Sequence, residues 1–573
     1  MKKKGLKRLA VSLIGAASIA AGSLAVPAVP AQAATNSQYA EALKFAFYFW
    51  DANQCGADAA DNGFTWRSGC HTYDEQCSFS NCVNLNGEAK SLIKAQNGGH
   101  DYVDLSGGYH DCGDHIKYQT TMGFGGSSIG LSYYMHPEVF KNAGVENHAK
   151  YIMKEMSEYF IRCTVLNNSG EVAAFCYLVG DESDHNYWGS PEKQPGPRKS
   201  YWADASHPSS NAAGEMSATL ASASMMLKND DPTFAKKCLK YAKALQAFAQ
   251  AHPGNTGTGC GGMYSSSSEW DDICWAKAWC DLAEKGDFTP VEYRNGGYQT
   301  PAGIQYDGWW NSWDKVWGGY AMLAVAAGHD EYLKVVEENA NKCSQTAGSG
   351  QYIMVGGSWG SSRYNCSWQA YNYLLHQKKG DTSRLNAAKN QMDYLLGNNP
   401  ANKSYVIGVG NQWAKQVHHR AANPDVHNGN PNSKYVLYGC MTGGPMDEGG
   451  TYQDQWDSYQ CTEPGTDYEG CFVTAIVNLC ASLKYYDTSL ADDIIKSSSE
   501  ISDPYGGGSG AKPTPTKKVT PTPTKKVTPT PTKKVTPVPT KRPTPTPNAG
   551  KKVRYSRLDL DGRVSWSDLI ATK

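Results

Sequence analysis

Residues 151–163, YIMKEMSEYFIRC, indicate the fold class of this chain. Their apolar side chains recur every three to four residues and therefore share one face of a helix. These side chains are Ile152, Met156, Tyr159, Phe160 and Cys163. The same spacing returns over residues 213–227 and 234–245, whereas convincing alternation with a period of two is scarce. The sequence predicts a single all-α domain with long polar and aromatic loops between its helices.

The first 33 residues have the features of a secretory signal. Residues 1–8 are basic, an apolar run continues through Val26, and residues 31–33, AQA, are typical of a signal-peptidase site. We expect cleavage near Ala33 and a secreted, extracellular protein. No later stretch contains about twenty uninterrupted apolar residues, so we expect no membrane span.

The charge of the chain is unevenly distributed. The net charge is -1, yet residues 34–511 carry 34 Lys and Arg against 52 Asp and Glu. Such an acidic body argues against nucleic acid as a partner and suits bound cations or a neutral substrate. The 16 Trp and 35 Tyr suit a sugar-binding surface, because flat apolar rings stack on pyranose faces, although most of these rings are expected in the core.

The composition divides the chain into four parts. After the signal, residues 34–502 form the predicted catalytic domain. From residue 503 a glycine-rich stretch leads into an eight-residue unit, KKVTPTPT, which starts at Lys517 and again at Lys525. Such Pro-rich repeats form extended linkers, so residues 503–550 are assigned to a linker. Residues 551–573 form a short separate segment.

The loop at residues 107–115, GGYHDCGDH, places two aspartates three residues apart among glycines and histidines. Alone it could be a turn, a metal site, or a general base beside a water-positioning carboxylate. In company with other segments, residues 103–115 resemble the signature of glycoside hydrolase family 9, which consists mostly of cellulases. The segments that follow in the family's order are residues 179–192, 398–400, 404–410, 418–420, 443–445 and 457–468. The resemblance spans roughly residues 38–485 and implies an (α/α)6 toroid of helices whose long loops form an open substrate cleft.

The resemblance implies a set of catalytic carboxyl groups. Asp114 is the expected base, Asp111 helps to hold the attacking water, and Glu463 is the expected acid. Inverting hydrolysis of a glycoside needs such an acid and base on either side of the scissile bond. The sequence departs from the family where Thr462 and Glu469 replace asparagines and where Cys112 replaces a common alanine. The implied sugar contacts are His185, Trp309, Trp359, Arg363, His419, Arg420 and Tyr468.

A second set of residues suits a metal ion. Cys55, Cys70, His71 and His110 offer two thiolates and two imidazoles, which is a tetrahedral zinc set, and a subgroup of family 9 resembles this arrangement. His110 would then face the metal while the aspartates face the substrate. A disulfide between Cys55 and Cys70 is the alternative, and Cys77 with Cys82 could supply ligands or a disulfide.

Residues 267–272, SSEWDD, resemble the calcium site of the family when combined with a distant aspartate. Carboxylates and main-chain carbonyls suit a hard cation. The expected ligands are Ser267, Ser268, Asp271, Asp272 and Asp314. The alternative is the start of a helix, because serine followed by acidic residues is also typical of a helix N-terminus. Both interpretations are compatible.

The last 23 residues resemble one calcium loop of a dockerin, the module that binds a cohesin on a cellulosome scaffold. Asp559, Asp561 and Asp568 fall at loop positions 3, 5 and 12, with Gly562 at the turn. Arg557 stands where an aspartate is expected, and no second repeat follows. The match is partial, so cohesin binding is a secondary expectation.

The functional prediction is a secreted endo-β-1,4-glucanase that hydrolyses cellulose or β-glucan with inversion and acts as a monomer. Zn²⁺ and Ca²⁺ are its expected structural cofactors. The alternatives within the same fold are a processive cellulase and a mixed-linkage or xyloglucan hydrolase. A non-catalytic glucan-binding component of a cellulosome is a further alternative, but a binder has no need of the acid and base pair.

Overall fold

Helices make up most of the regular structure in a computed structural model of the chain, which describes residues 33–255, 262–294, 297–299, 311–343, 347–426, 429–484 and 499–505. In chain order they are α1 (Asn36–Phe45), α2 (Tyr48–Asn53), α3 (Gly87–Gln96), α4 (Gln119–Met135), α5 (Pro137–Asn142), α6 (Glu146–Arg162), α7 (Glu182–Asn186), α8 (Ser210–Leu227), α9 (Pro232–Ala251), α10 (Trp270–Lys285), α11 (Trp317–Ala326), α12 (Leu333–Ala340), α13 (Ser361–Lys379), α14 (Thr382–Leu395), α15 (Tyr459–Thr462) and α16 (Thr466–Leu483). The helices predicted over residues 151–163, 213–227 and 234–245 are α6, α8 and α9.

Six helices form a closed inner ring. Each packs against the next in the order α4, α8, α10, α11, α13 and α16, and α16 packs back against α4. An outer layer covers them, with α6 and α9 on α8, α12 and α14 on α13, and α1 on α16. The inner helices α4 and α8 are buried on nearly all sides, which explains why they are rich in small and apolar residues. This arrangement is the predicted toroid.

Close packing in the ring depends on glycines of α4. A Cβ at Gly123 would lie 2.8 Å from the backbone carbon of Glu215 on α8, and a Cβ at Gly125 would lie 2.3 Å from the Trp50 ring. Neither backbone nor a buried indole can give way cheaply. The glycines therefore set the distance between α4 and its neighbours.

The described strands are two to eight residues long. They are β1 (Cys77–Ser78), β2 (Cys82–Val83), β3 (Tyr102–Val103), β4 (Lys117–Tyr118), β5 (Thr164–Leu166), β6 (Val172–Val179), β7 (Ser200–Ala203), β8 (Glu292–Arg294) and β9 (Gly297–Gln299). A sheet of five runs in the order β2-β7-β6-β4, with β5 also paired to β6. The strand β6, VAAFCYLV, lacks polar alternation because most of its side chains are buried. The sheet matters for the site, because β4 follows the GGYHDCGDH loop and β6 precedes residues 180–185.

The C-terminal part of the described chain returns to the N-terminal helices. Lys44 forms an ion pair with Asp503 at 3.0 Å. The ring of Tyr505 stacks on His148 with centroids 3.9 Å apart, and its hydroxyl donates to Asp51 Oδ1 at 3.1 Å. Packing therefore continues through at least residue 505, three residues beyond the boundary predicted from composition, because two contact-forming side chains precede the Gly-rich stretch.

Several predicted features fall outside the described residues. They are the signal peptide, Trp309, the Pro-rich linker and the dockerin-like segment. Within the described part of the chain, none of the helices combines the length and the apolar character that a membrane crossing requires.

Candidate active site

The loop carrying both aspartates lies between β3 and β4 and is clamped by Asn53, the last residue of α2. The Asn53 side-chain amide donates to the carbonyls of His110 and Cys112, each at 3.0 Å. The backbone amide of His110 donates to the carbonyl of Asn53 at 2.7 Å, and that of Asp111 donates to Ile116 at 2.8 Å. These bonds fix the direction in which the two aspartate side chains project.

Two distant segments join this loop through backbone hydrogen bonds. The amide of Arg420 donates to the carbonyl of Gly113, and the amide of Thr466 donates to the carbonyl of Asp111, each at 2.8 Å. Gly113 must be glycine, since a Cβ there would lie 2.1 Å from the carbonyl oxygen of His418. The segments predicted to carry the acid, the base and the sugar contacts are therefore brought together.

Asp111 is held by the protein on both carboxylate oxygens. Oδ1 accepts from the hydroxyls of Thr121 and, at 3.2 Å, Thr466. Oδ2 accepts from the Tyr264 hydroxyl at 2.6 Å and from the Cys112 thiol at 3.0 Å. Asp111 thus anchors the loop to α4 and α16, and its predicted part in holding the attacking water remains a prediction.

Asp114 and Asp111 have opposite electrostatic surroundings. Burial and the nearby Asp114 raise the pKa of Asp111 to about 7. Asp114 is also buried, but the hydrogen bond from His185 and the charges of His185 and Arg420 outweigh burial and lower its pKa below the usual value. The Asp114 Oδ2 lies 2.8 Å from His185 Nδ1. Asp114 is therefore ionised at neutral pH, as a general base must be.

Glu463 lies between α15 and α16 and faces the same loop. Its Oε1 accepts from the Gly113 amide at 3.2 Å. Burial raises the pKa of Glu463 to about 8, with Asp114 adding to the effect and Arg420 opposing it. Glu463 is therefore protonated at neutral pH and can donate a proton. Two carboxyl groups whose pKa values are pushed apart are the usual arrangement for acid and base roles.

A chain of contacting rings begins beside Glu463, where His418 Nε2 lies 4.0 Å from Glu463 Oε1. Trp188 packs edge-on against His418 and Trp456, with centroids 5.0 Å and 5.1 Å away. Tyr459 packs against His418 at 5.8 Å and against Trp359 at 5.0 Å. Trp359 is 38% exposed, which is rare for a large apolar side chain in the described structure. This row of rings can stack on several sugar units.

Sequence reasoning missed three members of this row, namely Trp188, Trp456 and Tyr459. The available signal was their position within or beside the family segments at residues 179–192 and 457–468. Tyr264, which donates to Asp111, was also missed. No spacing rule connects it to residue 111, because 153 residues separate them.

The predicted sugar contacts differ in what they bind. Arg420 donates to the His185 carbonyl at 2.6 Å and stacks on Trp188, while its buried Nε and Nη1 have no hydrogen-bond partner among the described residues. Those two donors suit a sugar hydroxyl. Arg363 donates to Asp467 at 2.5 Å and stacks on the Tyr468 ring. Both arginines thus lie beside the catalytic segments.

His419 has a different environment from the one predicted. It is buried, its Nε2 lies 2.7 Å from Asn53 Oδ1, and its Nδ1 accepts from the Ala422 amide at 3.1 Å. Since both ring nitrogens bind protein atoms, His419 is not placed to contact sugar. The contacts favour a role in supporting Asn53, which clamps the catalytic loop.

Cys55, Cys70, His71 and His110 converge directly behind that loop. One ligand atom from each lies within 4.8 Å of all the others, and all four residues are buried. Cys55 Sγ is 3.6 Å from His71 Nδ1, and His71 Nδ1 is 3.3 Å from His110 Nε2. In a tetrahedral zinc site the corresponding edges are about 3.6 Å for sulfur to nitrogen and about 3.3 Å between nitrogens. The Cys70 Sγ to His110 Nε2 distance is longer, at 4.0 Å, so the four residues have the chemistry of a metal site and two of its edges have the length that zinc requires.

The cysteine alternatives can be compared in the structure. Cys55 and Cys70 are separate thiols, without a disulfide between them. Guanidinium groups approach both sulfurs, with Arg198 3.8 Å from Cys55 Sγ and Arg67 3.4 Å from Cys70 Sγ. Cys77 and Cys82 are also thiols, 3.9 Å apart, and are not part of the four-residue cluster.

The predicted calcium ligands do not form a compact cluster like that of the cysteines and histidines in the described structure. Asp314 accepts from the Ser267 amide at 2.6 Å and from its hydroxyl at 2.9 Å. Asp271 Oδ2 accepts from the Val316 amide at 2.7 Å, and Asp272 is buried against Gly214 of α8. Across the ranges that the structure describes, no three acidic side chains of this region bring oxygens within 4.8 Å of one another. The Ser268 hydroxyl accepts from the Trp270 amide at the start of α10, as the helix-start interpretation expects.

Comparison with known proteins identifies the family. The family model described as glycosyl hydrolase family 9 matches residues 39–476. The chain belongs to this family. The predicted (α/α)6 toroid and the predicted enzyme class, a glycoside hydrolase of the endoglucanase type, are confirmed.

Individual relatives show how far the similarity extends. Endoglucanase B of Cellulomonas fimi is 30% identical to this chain. The aligned part covers 83% of this chain and 45% of that relative. Endoglucanase 13 of Arabidopsis thaliana is 28% identical, with 76% of this chain and 92% of that protein covered. The catalytic domain of CelT from Clostridium thermocellum has a TM-score of 0.70 and 33% identity, covering 79% of this chain and 98% of that one. The cellulase Cel9M of C. cellulolyticum, solved with cellobiose, has a TM-score of 0.64 and 32% identity, covering 78% and 99%.

Proposed function

We propose that this family 9 endoglucanase cleaves internal β-1,4 linkages of cellulose and soluble β-glucans with inversion of the anomeric centre. One observation carries the proposal. The buried Asp114 and the partly exposed Glu463 meet at one loop, and their surroundings lower the pKa of Asp114 and raise that of Glu463 to about 8. Structures similar to this one have been solved with cellobiose, cellotriose and cellotetraose, which supports a β-glucan substrate.

Each carboxyl group has one role in the reaction. The Asp114 carboxylate removes a proton from a water molecule as its oxygen attacks the anomeric carbon. The Glu463 carboxyl donates its proton to the departing glycosidic oxygen. Attack by water on the face opposite the leaving group inverts the anomeric centre in a single displacement. Asp111 keeps the loop in place and is the nearest candidate to help orient the water.

The neighbouring side chains prepare the substrate and the base. His185 holds the Asp114 carboxylate through its Nδ1 and stabilises the ionised form. Arg420 offers two unpartnered donors to sugar hydroxyls, and Arg363 with Tyr468 flanks the acid segment. The partly exposed row from Trp188 to Trp359 supports an extended glucan, which suits endo cleavage. A processive cellulase and a mixed-linkage or xyloglucan hydrolase remain the alternatives.

The cluster of Cys55, Cys70, His71 and His110 holds a structural zinc in this proposal. Four protein ligands leave no open position for water, so the metal supplies a crosslink and no catalytic chemistry. His110 directly precedes Asp111, so this crosslink restrains the catalytic loop. Calcium binding by residues 267–272 and Asp314 also remains proposed, supported by the serine and carboxylate composition.

The segments outside the helical domain concern the secretion and the attachment of the enzyme. Residues 1–33 direct secretion, and the Pro-rich part of residues 503–550 acts as a linker. Residues 551–573 would contact a cohesin scaffold, with the missing aspartate at residue 557 weakening any calcium loop. The catalytic unit acts as a monomer.

The proposal is tested by release of reducing sugar from carboxymethyl cellulose, lichenan and xyloglucan. Asp114→Asn cannot accept a proton and should lose about 10²–10⁴-fold in activity while still binding glucan. Asp104→Asn is the matched control, because Asp104 lies exposed in the same loop region and, in the part of the chain that the structure describes, accepts hydrogen bonds from Ser106 alone. A wild-type protein that binds these glucans without cleaving them would instead be a non-catalytic component.

A further inference from the structure

We propose that Gln194 is a positioning residue that couples the metal cluster to the catalytic base. Gln194 is buried just after a short helical turn, Pro191–Lys193, in the segment that follows α7. Its amide contacts His71 of the cluster, His115 of the catalytic loop and Asp184 of α7. The inference rests on the proposed metal site and concerns how this chain prepares it.

The orientation of the Gln194 amide is determined by Asp184. A carboxylate only accepts hydrogen bonds, so the NH₂ group of Gln194 must face Asp184 Oδ1, at 2.6 Å. Burial raises the pKa of Asp184, and Arg198 Nε, 3.9 Å from the same oxygen, opposes that shift. The carbonyl oxygen of Gln194 must then face the two imidazoles.

The protonated nitrogens of both histidines follow from that orientation. Gln194 Oε1 lies 3.1 Å from His71 Nε2 and 2.6 Å from His115 Nδ1. An amide oxygen only accepts, so each of these ring nitrogens carries a proton. In His71 the lone pair is thereby left on Nδ1, the atom that faces Cys55 Sγ and His110 Nε2. Gln194 therefore prepares His71 to bind a metal through Nδ1, as outer-shell acceptors commonly do.

The same side chain restrains the base from two directions. His115 directly follows Asp114 in the loop. Asp184 directly precedes His185, whose Nδ1 lies 2.8 Å from Asp114 Oδ2. His115 beside the base and Asp184 beside the partner of the base are thus both hydrogen-bonded to the Gln194 side-chain amide. Gln194 would transmit a disturbance of the metal cluster to the position of Asp114.

The test compares Gln194→Met, Gln194→Glu and a control at Gln391. Gln391 is buried on α14 with the same pattern of bonds, since its oxygen accepts from Ile353 and Asn365 and its NH₂ donates to Gln351. Zinc content is measured after purification, and zinc retention is then titrated with a chelator. Far-UV circular dichroism and melting curves report folding.

Gln194→Met removes the acceptor and should weaken zinc binding about 10–100-fold, the usual effect of losing an outer-shell partner. Gln194→Glu keeps an acceptor for both imidazoles and should retain zinc more tightly than Gln194→Met. Gln391→Met should melt at a lower temperature with zinc binding unchanged. If Gln194→Met does not fold, the kcat of Gln194→Glu is compared with that of the wild type instead. This kcat should fall, because Asp184 loses its hydrogen-bond donor.

When Gln194→Met folds, either of two results would overturn the inference. One is wild-type zinc retention in folded Gln194→Met, and the other is an equal loss of zinc in the Met and Glu variants. If Gln194→Met fails to fold, an unchanged kcat in Gln194→Glu overturns it as well. A wild-type protein that contains no zinc overturns the metal site itself, and glucan hydrolysis, measured separately, shows whether the proposed reaction survives that failure.

Discussion

The pH dependence of hydrolysis is the sharpest test of the acid assignment. Burial raises the pKa of Glu463 from 4.5 to about 8. At pH 7 a carboxyl group with that pKa is about 90% protonated, whereas one with a pKa of 4.5 would be about 0.3% protonated. The surroundings of Glu463 therefore increase the reactive form about 300-fold at neutral pH.

The expected pH profile follows from the directions in which the pKa values of Glu463 and Asp114 are shifted. The acid form of Glu463 is lost as pH rises through about 8, so kcat/KM should fall about tenfold per pH unit above that value. The base form of Asp114 is lost only as pH falls below the usual aspartate range, because its pKa is lowered. Activity should thus form a broad plateau that reaches neutral pH and ends on the alkaline side.

Initial rates on carboxymethyl cellulose, with stability checked at each pH, measure this profile. Glu463→Gln should lose the alkaline limb together with about 10²–10⁴-fold of activity. Glu469→Gln is the matched control, since Glu469 is buried on the same segment but, among the described residues, accepts a hydrogen bond from the Met441 amide alone. A decline that begins near pH 5, or an alkaline limb that persists in Glu463→Gln, would refute the assignment of Glu463 as the acid.

Two further outcomes are expected. Proton NMR during early hydrolysis of β-glucan should show α-anomers, because water attacks opposite the leaving group, and an initial β-anomer would require a covalent intermediate. Cys70→Ser should abolish the expected content of about one zinc per chain and lower the melting temperature, since metal binding contributes to folding stability in closed sites. Cys238→Ser, a buried thiol outside the cluster, should keep the metal, whereas a Cys55–Cys70 disulfide in the purified protein would exclude zinc there.

The sequence predicted what depends on local spacing. The apolar period of three to four residues predicted α6, α8 and α9, and ordered motifs predicted which carboxyl groups meet. It did not predict Asn53 as the clamp of the loop or Gln194 as the partner of two histidines, because these contacts join residues far apart in the chain. The placement of His419 also differed, since a motif position does not reveal whether a side chain faces the cleft or the interior.

The loop that carries Asp111 and Asp114 is joined to the segment around Glu463 near the other end of the domain, and this has a consequence for how the protein folds. Asp111 is bonded to Thr466, and the amide beside Asp114 is bonded to Glu463 across 350 residues of sequence. Contacts between such distant residues form late, because closing a long loop costs chain entropy before any contact compensates for it. Helices can therefore appear early in refolding while hydrolysis stays absent. Recovered activity would report that the ring has closed, and a chain released before residue 463 is synthesised would have helices but no acid.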